Sequence, residues 1–234
     1  MDAFGKACLD FLKGVSDEFI YVESKTMEDD IIPVMHLFRD YNEMPKCEQV
    51  ALDNVKGKTL DVGGGAGSHC LYLQKKGIHS TLLDYSPGLC EVSSKRGVKS
   101  IIQEDFFSWK SNEKYDSILF MMNGIGIGGD FNSFHKTIEK SFESLNPGGQ
   151  ILFDSTDISF CYEQADGSIL IPLNLEYIGF VKFQLSYKKI KDDWFNWAYY
   201  DAKKLREILP LKYDFEVLHQ EGPSYCGKIT LKNK

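Results

Sequence analysis

The stretch Thr59–Leu71, TLDVGGGAGSHCL, decides the fold of this chain. Its first four residues have the apolar character of a buried parallel strand. Four glycines then permit a sharp turn because they carry no Cβ; they are Gly63, Gly64, Gly65 and Gly67. We expect Ser68 to cap a helix that follows at once. Such a helix points free N–H groups over the sheet edge, so the stretch predicts a ligand site there, although a plain strand-to-helix connection can look the same.

Strands and helices alternate from residue 58 onward, which indicates a parallel sheet with crossover helices. The expected strands are 58–62, 79–83, 99–102, 115–121 and 148–154, and the expected helices are 68–76, 86–95 and 131–144. The alternation then stops, and residues 155–200 are expected to form a cap insertion. A helix and an antiparallel strand pair close the chain; they are expected at 201–209, 215–219 and 228–231. The pattern predicts an α/β, doubly wound, mainly parallel sheet.

Residues 1–57 are predicted to form a mostly helical lid segment, separate from a nucleotide-type domain at 58–234. A first helix has its apolar residues on one face; they are Phe4, Cys8, Phe11, Leu12 and Val15. A second helical segment is expected over Ile31 to Phe38, with Pro33 near its start. The lid contains His36 and Tyr41, which are candidate bases.

Composition limits the classes of function. The chain has 234 residues, and 43% of them are hydrophobic, which is enough for a core. Its net charge of −7 argues against a nucleic-acid partner. Six scattered cysteines without metal spacing indicate reduced thiols in the cytoplasm and no metal site. We also expect no signal peptide, because charges interrupt the apolar N-terminal residues, and no membrane span, because no apolar run is long enough.

Three acidic residues come at the predicted carboxyl ends of successive strands: Asp61, Asp84 and Asp105. In a doubly wound sheet these ends converge on one crevice, and an acid about 20 residues beyond the glycine turn can accept hydrogen bonds from a ribose diol. Asp84 has that position. Asp105 precedes Phe106 and Phe107, so a carboxylate that can accept from an exocyclic amine stands beside aromatic rings that can stack on a purine. Together these residues predict a site for an adenosine.

The ordered motifs of residues 58–154 resemble those of class I S-adenosylmethionine (SAM)-dependent methyltransferases. They are DVGGGAG at 61–67, DYS at 84–86, EDF at 104–106, YDSIL at 115–119 and LNPGGQIL at 145–152. The resemblance implies a seven-stranded sheet with an antiparallel C-terminal pair and a bound SAM. It also implies that the glycine turn lies against the methionine part of SAM, that Asp84 with Tyr85 lies at the ribose, and that Asp105 with Phe106 lies at the adenine.

Two other functions remain open at this point. A nicotinamide-dependent oxidoreductase is disfavoured because Ser68 replaces the third glycine of the GxGxxG fingerprint. A SAM-binding regulatory domain without catalysis is the second alternative, since no residue compels chemistry.

The acceptor is expected to be a small molecule, methylated on oxygen, nitrogen or carbon, and no oligomeric state is predicted. The chain lacks the Asn-Pro-Pro-aromatic tetrapeptide of nucleobase and glutamine methylation, and no acid follows the fourth strand where catechol-type enzymes hold a metal. Asn123 after that strand is the candidate for contacting the cofactor and positioning the acceptor, because its amide both donates and accepts. Asp154 and the lid residues His36, Asp40 and Tyr41 are the candidate bases.

Overall fold

The computed structural model describes residues 1–16, 18–164, 166–172 and 175–232. The α-helices are α1 (Ala3–Leu12), α2 (Lys46–Asp53), α3 (Ser68–Lys75), α4 (Pro87–Arg96), α5 (Phe131–Ser144) and α6 (Ala202–Ile208). The first six strands are β1 (Phe19–Ser24), β2 (Asp30–Pro33), β3 (Thr59–Val62), β4 (Ser80–Asp84), β5 (Ile101–Gln103) and β6 (Tyr115–Phe120). The last six are β7 (Leu145–Thr156), β8 (Phe180–Tyr187), β9 (Ile190–Lys191), β10 (Phe195–Ala198), β11 (Tyr213–Glu221) and β12 (Ser224–Leu231).

A seven-stranded sheet forms the centre of the molecule, in the order β11-β12-β7-β6-β3-β4-β5. The five strands from β7 to β5 are parallel, whereas β12 pairs antiparallel with both β7 and β11. Every residue of β3 and β4 is buried, as expected for central parallel strands that are covered on both faces. The predicted α/β fold, with its antiparallel C-terminal pair, is confirmed.

The strand order reverses direction between β3 and β6, because the chain fills β4 and β5 on one side and then crosses to the other. At such a point two neighbouring connections leave the sheet on opposite faces and open a crevice outside the carboxyl ends of the strands. The glycine turn after β3 and the loop after β6 therefore border the same crevice.

The N-terminal segment is only partly helical. Helices α1 and α2 form, but Phe19–Ser24 and Asp30–Pro33 are strands, so Ile31 and Ile32 do not belong to the expected second helix. Only the short 3₁₀ turn Val34–Phe38 remains of that helix. The reason is tertiary pairing, because β1 finds antiparallel partners in β2 and in β8 far along the chain.

These strands build a second, five-stranded sheet, which we call the cap sheet: β10-β8-β1-β2, with β9 on β8. Its apolar face packs on α1, and the same buried cluster continues through α1 to α4 and to Ala66 of the glycine turn. Helices α1 and α4 approach closely at Gly5 and Gly88, where a Cβ on Gly88 would lie 2.6 Å from the Gly5 Cα. The cap sheet is thereby held beside the crevice.

The predicted cap insertion at 155–200 contributes β8, β9 and β10 to this sheet. Three of its residues, at positions 165, 173 and 174, lie outside the described residues, as do positions 17, 233 and 234. None of the helices in the described ranges combines the length and the apolar character that crossing a membrane requires.

Candidate functional site

The glycine turn after β3 leaves open space above the sheet. Gly63 and Gly65 have φ of +68° and +57°, a region that side chains disfavour. A Cβ added to Gly63 would meet nothing within 4 Å. The N-cap of α3 is Gly67 and not Ser68 as expected, because Ser68 is the first helical residue and its hydroxyl donates to the Leu37 carbonyl. The turn is therefore a cradle with free volume over it.

Gly64 is required for close packing. A Cβ at this position would lie 2.7 Å from Leu82 Cγ and 2.9 Å from Asp61 Oδ2. The turn thus rests directly on the neighbouring strand β4 and on the acid of its own strand, so that its backbone height above the sheet is fixed.

Asp84 connects the end of β4 to the glycine turn. Its Oδ2 accepts from the Gly65 amide at 3.0 Å, and its Oδ1 accepts from the Ser86 amide at 2.9 Å. Burial raises the pKa of Asp84 to about 6, against which the two amides act. Asp84 therefore shapes the turn, and each oxygen retains a second lone pair for another donor. The neighbouring Tyr85 side chain is largely exposed.

The residues expected at the adenine have different environments. Asp105 is exposed and its Oδ1 accepts from the Ser108 amide at 3.0 Å. Phe106 is only 3% exposed and its ring lies edge-on to Phe120 in the main core. Phe107, the neighbour of Phe106, is 36% exposed. The structure thus places Phe107 as the more accessible aromatic face.

A chain of buried charged side chains lies on the other side of the glycine turn. Arg39 Nη2 donates to Glu48 Oε1 at 2.6 Å, and Glu48 Oε2 is 2.9 Å from His69 Nε2. His69 Nδ1 lies 3.9 Å from Asp61 Oδ2. We call these four residues the buried ionic chain. It joins α2 and α3 to the strand end that carries the turn.

The charges within the buried ionic chain depend on one another. Although burial opposes ionisation of Glu48, its bonds to His69 and the charge of Arg39 hold its pKa below the ordinary value. Burial opposes the charge on His69 as well, but Glu48 and Asp61 together raise its pKa. Burial raises the pKa of Asp61, and His69 only partly offsets this. The buried ionic chain is thus an ion-paired unit in which the negative charge of one carboxylate, Asp61, is poorly compensated.

Several buried polar atoms here have no partner. Among the described residues seven buried side-chain nitrogen or oxygen atoms are unpartnered, and four of them belong to Arg39, Asp61 and Asp154. They are Arg39 Nε, Arg39 Nη1, Asp61 Oδ1 and Asp154 Oδ1. Buried polar atoms in native proteins are normally paired, so this concentration indicates a place where a ligand supplies the missing bonds. Unpaired guanidinium donors on Arg39 and an unpaired acceptor on Asp61, at the two ends of the buried ionic chain, fit an α-amino acid group, which carries both charges.

Asn123 is the third residue after β6 and has a left-handed backbone conformation, with φ of +60°. Its backbone N–H donates to Asp154 Oδ2 at 3.0 Å, and its side-chain oxygen accepts from the Thr156 hydroxyl at 2.9 Å. Asp154 lies at the end of β7, and burial raises its pKa to about 7, with repulsion from Glu48 adding to the shift. The structure therefore brings Asn123 and Asp154 together at the rim.

The three candidate bases from the N-terminal segment differ in their surroundings, and Asp40 is an exposed carboxylate 3.7 Å from Lys75 Nζ. His36 is exposed, and partial burial of its ring, together with the charge of Arg39, lowers its pKa. Tyr41 stacks on Tyr72 with 4.3 Å between ring centroids, and its hydroxyl donates to Asp53 at 2.6 Å, which raises its pKa. Tyr41 is therefore fixed to α2 and α3 in a state that makes it a poor base.

The sequence reasoning missed Arg39, Glu48 and His69 as parts of a site. For Glu48 a signal exists: it falls on the buried face of α2 together with Ala51 and Leu52, where an acid is unusual. His69 follows the glycine turn directly, in the first turn of α3. The contact with Arg39 depends on the path of the 3₁₀ turns, for which the sequence carries no periodic signal.

The fold and the crevice at its switch point define a class I methyltransferase, and comparison with known proteins agrees. The family profile described as "methyltransferase domain" matches residues 36–220, so the chain belongs to this family. No curated protein matches the chain in sequence.

Solved structures extend the comparison. The chain is similar to a SAM-dependent methyltransferase from Bacteroides fragilis in complex with S-adenosyl-L-homocysteine (SAH), with 34% identity and a TM-score of 0.90 over 98% of this chain and 94% of that one. A SAM-dependent methyltransferase from Clostridium acetobutylicum shares 14% identity with a TM-score of 0.60, over 86% and 95% of the two chains. The sugar N-methyltransferase KedS8 from Streptoalloteichus shares 12% with a TM-score of 0.58, over 90% and 98%. The last two similarities concern the fold.

Proposed function

We propose that this protein binds SAM over the glycine turn and transfers its methyl group to a small-molecule acceptor. The proposal is carried by the unpaired buried atoms on Arg39 and Asp61, at the two ends of the buried ionic chain, together with the open space above Gly63. The carboxylate of SAM pairs with the Arg39 guanidinium, and its ammonium with the Asp61 carboxylate. The Bacteroides fragilis protein, which is similar over nearly its whole length, was crystallised with SAH.

The adenosine occupies the opposite side of the turn in this proposal. Asp84, at the end of β4, has lone pairs left for the ribose hydroxyls after bonding two backbone amides. Asp105 and Phe107 stand next along the sheet edge, where a carboxylate and an accessible ring suit an adenine. Phe106, in the core, packs edge-on against the ring of Phe107.

SAM supplies an electrophilic methyl group on a positively charged sulfur. The tasks left to the protein are to align the acceptor with this methyl group and to keep water away. The loop after β6 and the end of β7 border the place where the acceptor would lie, with Asn123 held by Asp154. The cap sheet shares a buried apolar cluster with α1, α4 and Ala66 of the glycine turn, which supports a position for it beside the acceptor.

The proposal is tested by incubating the protein with methyl-deuterated SAM and a small-molecule extract, followed by mass spectrometry. We expect deuterated methyl in at least one small product, and none with a Gly63→Ala protein. SAH binding without transfer to any small molecule, or transfer to protein or nucleic acid instead, would contradict a small-molecule methyltransferase and favour a regulatory SAM-binding domain or another acceptor class.

A further inference from the structure

One carboxylate oxygen of Asp154 has no hydrogen-bond partner among the described residues. The side chain is 9% exposed and lies at the carboxyl end of β7. Its Oδ2 accepts from the Asn123 amide at 3.0 Å, whereas Oδ1 has no partner in the described part of the chain. A buried carboxylate oxygen without a donor destabilises the folded protein, so its presence at the rim of the crevice indicates a function for it.

The methionine end of SAM does not require this oxygen. Arg39 and Asp61 already supply a cation for the carboxylate and an anion for the ammonium, and Glu48 is occupied by Arg39 and His69. Asp154 is therefore an additional negative group. Its Oδ2 is bonded to the backbone amide of Asn123, in the loop after β6, and this loop borders the place proposed for the acceptor.

The surroundings of Tyr199 show the charge at that approach. Tyr199 follows β10 and is half-buried; burial raises the pKa of its hydroxyl to about 12, and the negative charges of the Asp30 and Asp154 carboxylates add to this. Glu28 and Asp30 form no ion pair in the ranges that the structure describes. The ammonium of Lys25 lies 4.2 Å from the centre of the Trp194 ring. The face of Trp194 is thus already covered by a cation, whereas the Tyr199 ring, close to the carboxylates of Asp30 and Asp154, lies where an incoming cation is attracted.

We propose that Asp154 faces the reacting methyl group and that the acceptor is a small-molecule amine whose nitrogen Asp154 binds and deprotonates. This inference rests on the proposed function. The protonated amine gives one N–H proton to the Asp154 carboxylate. Its lone pair then forms the N–C bond to the methyl group while the C–S bond breaks and leaves its electron pair on sulfur. The product leaves as a methylated ammonium ion, and Asp154 returns its proton to water.

The amine analogue of SAM, sinefungin, tests this without knowledge of the acceptor, because it carries an ammonium-bearing carbon in place of the methylated sulfur. Calorimetry measures the affinities of sinefungin and SAH for the wild-type protein, Asp154→Asn and Asp214→Asn. Asp214 is an exposed carboxylate on the edge strand β11, so its substitution is a control for the lost charge. Circular dichroism verifies the fold of each variant.

We expect the wild-type protein to bind sinefungin more tightly than SAH. Asp154→Asn should reduce that preference about 10-fold, the loss of one charge-assisted hydrogen bond, and Asp214→Asn should preserve it. A wild-type protein that prefers SAH overturns the inference even if Asp154→Asn does not fold. The inference is also overturned if Asp154→Asn changes the affinities for sinefungin and SAH equally, or changes neither. Absence of SAH binding to the wild-type protein would instead overturn the proposed function.

Discussion

At the scale of single residues, Arg39 is the side chain on which the proposed donor site depends most. Its guanidinium is 8% exposed and pairs with Glu48 through one nitrogen, while two nitrogens have no partner. A buried guanidinium with free donors is costly unless a ligand completes its bonds. Its planar fork also matches a carboxylate better than an ammonium group does.

We therefore expect Arg39→Lys to weaken SAH binding by about 10-fold or more, because a lysine cannot bond Glu48 and the ligand carboxylate together in the same geometry. Arg206→Lys, on the exposed side of α6, is the matched control and should bind SAH like the wild-type protein. Calorimetry gives both affinities. An Arg39→Lys protein with wild-type SAH affinity would remove Arg39 from the site.

Asp154 also predicts how stability depends on pH. Its pKa is about 7 in the folded protein and about 4 in an unfolded chain, so between these values the folded state holds a proton that the unfolded state has released. The contribution of this group to stability is thus present below about pH 4 and is lost as the pH rises through about 7. The other titratable groups that act on Asp154 or on which it acts are Cys47, Glu48, His69, Tyr199, Tyr225 and Cys226.

Asp154→Asn stays neutral at every pH and leaves those groups in place. The variant should therefore gain stability relative to the wild-type protein between about pH 4 and 8, by an amount on the order of 2 kcal/mol. Urea unfolding of both proteins at the two pH values measures the difference. If the difference in stability between the two proteins is the same at about pH 4 and about pH 8, the Asp154 carboxyl has an ordinary pKa in the folded protein.

At the scale of elements, the glycine turn offers an internal comparison. Gly63 and Gly77 have φ of +68° and +77°, and a Cβ on either would meet no atom within 4 Å. Alanine at either position should lower the free energy of unfolding by about 1 kcal/mol, the cost of a left-handed backbone with a side chain. Only at Gly63 would the new methyl group occupy the volume proposed for SAM.

Gly63→Ala should consequently lose the thermal shift produced by SAH, whereas Gly77→Ala should keep it. A differential scanning experiment with and without SAH compares the two proteins at equal backbone strain. Equal shifts in both variants would mean that the ligand does not lie over the turn.

The alternating segments of the sheet were predictable because each carries its own local signal. The helix expected at 131–144 is the observed α5, with Asp130 as its N-cap, and the five parallel strands lie where apolar runs end in turns. The strand β1 was not predictable, because its partner β8 is more than 150 residues away and its short alternation is lost between polar residues. For the same reason the ionic chain was missed: Arg39, Glu48 and His69 meet only through tertiary packing.

At the scale of the whole molecule, the cap sheet is joined to the central sheet where α1 crosses α4. The two helices touch through glycines, and a Cβ on Gly88 would overlap the Gly5 backbone at 2.6 Å. The Gly5 amide donates to Asp2 Oδ1 and the Ser86 hydroxyl donates to Asp2 Oδ2, so the Asp2 carboxylate ties the same crossing to the end of β4. The position of the cap therefore depends on this contact.

Gly88→Ala should separate α1 from α4 and destabilise the protein by about 2 kcal/mol, since a packed interface must open to admit the methyl group. Ser94→Ala, on the exposed face of α4, should leave stability unchanged. Urea denaturation compares the two. A Gly88→Ala protein as stable as Ser94→Ala would show that the crossing tolerates a wider spacing and does not position the cap.

The central claim is that the crevice over Gly63, between Arg39 and Asp84, is a SAM site. The most direct measurement is isothermal titration calorimetry of the wild-type protein with SAH and, separately, with NADH. The account predicts one SAH bound per chain, with affinity lost in Gly63→Ala, and no heat from NADH. Binding of NADH without any response to SAH would contradict it.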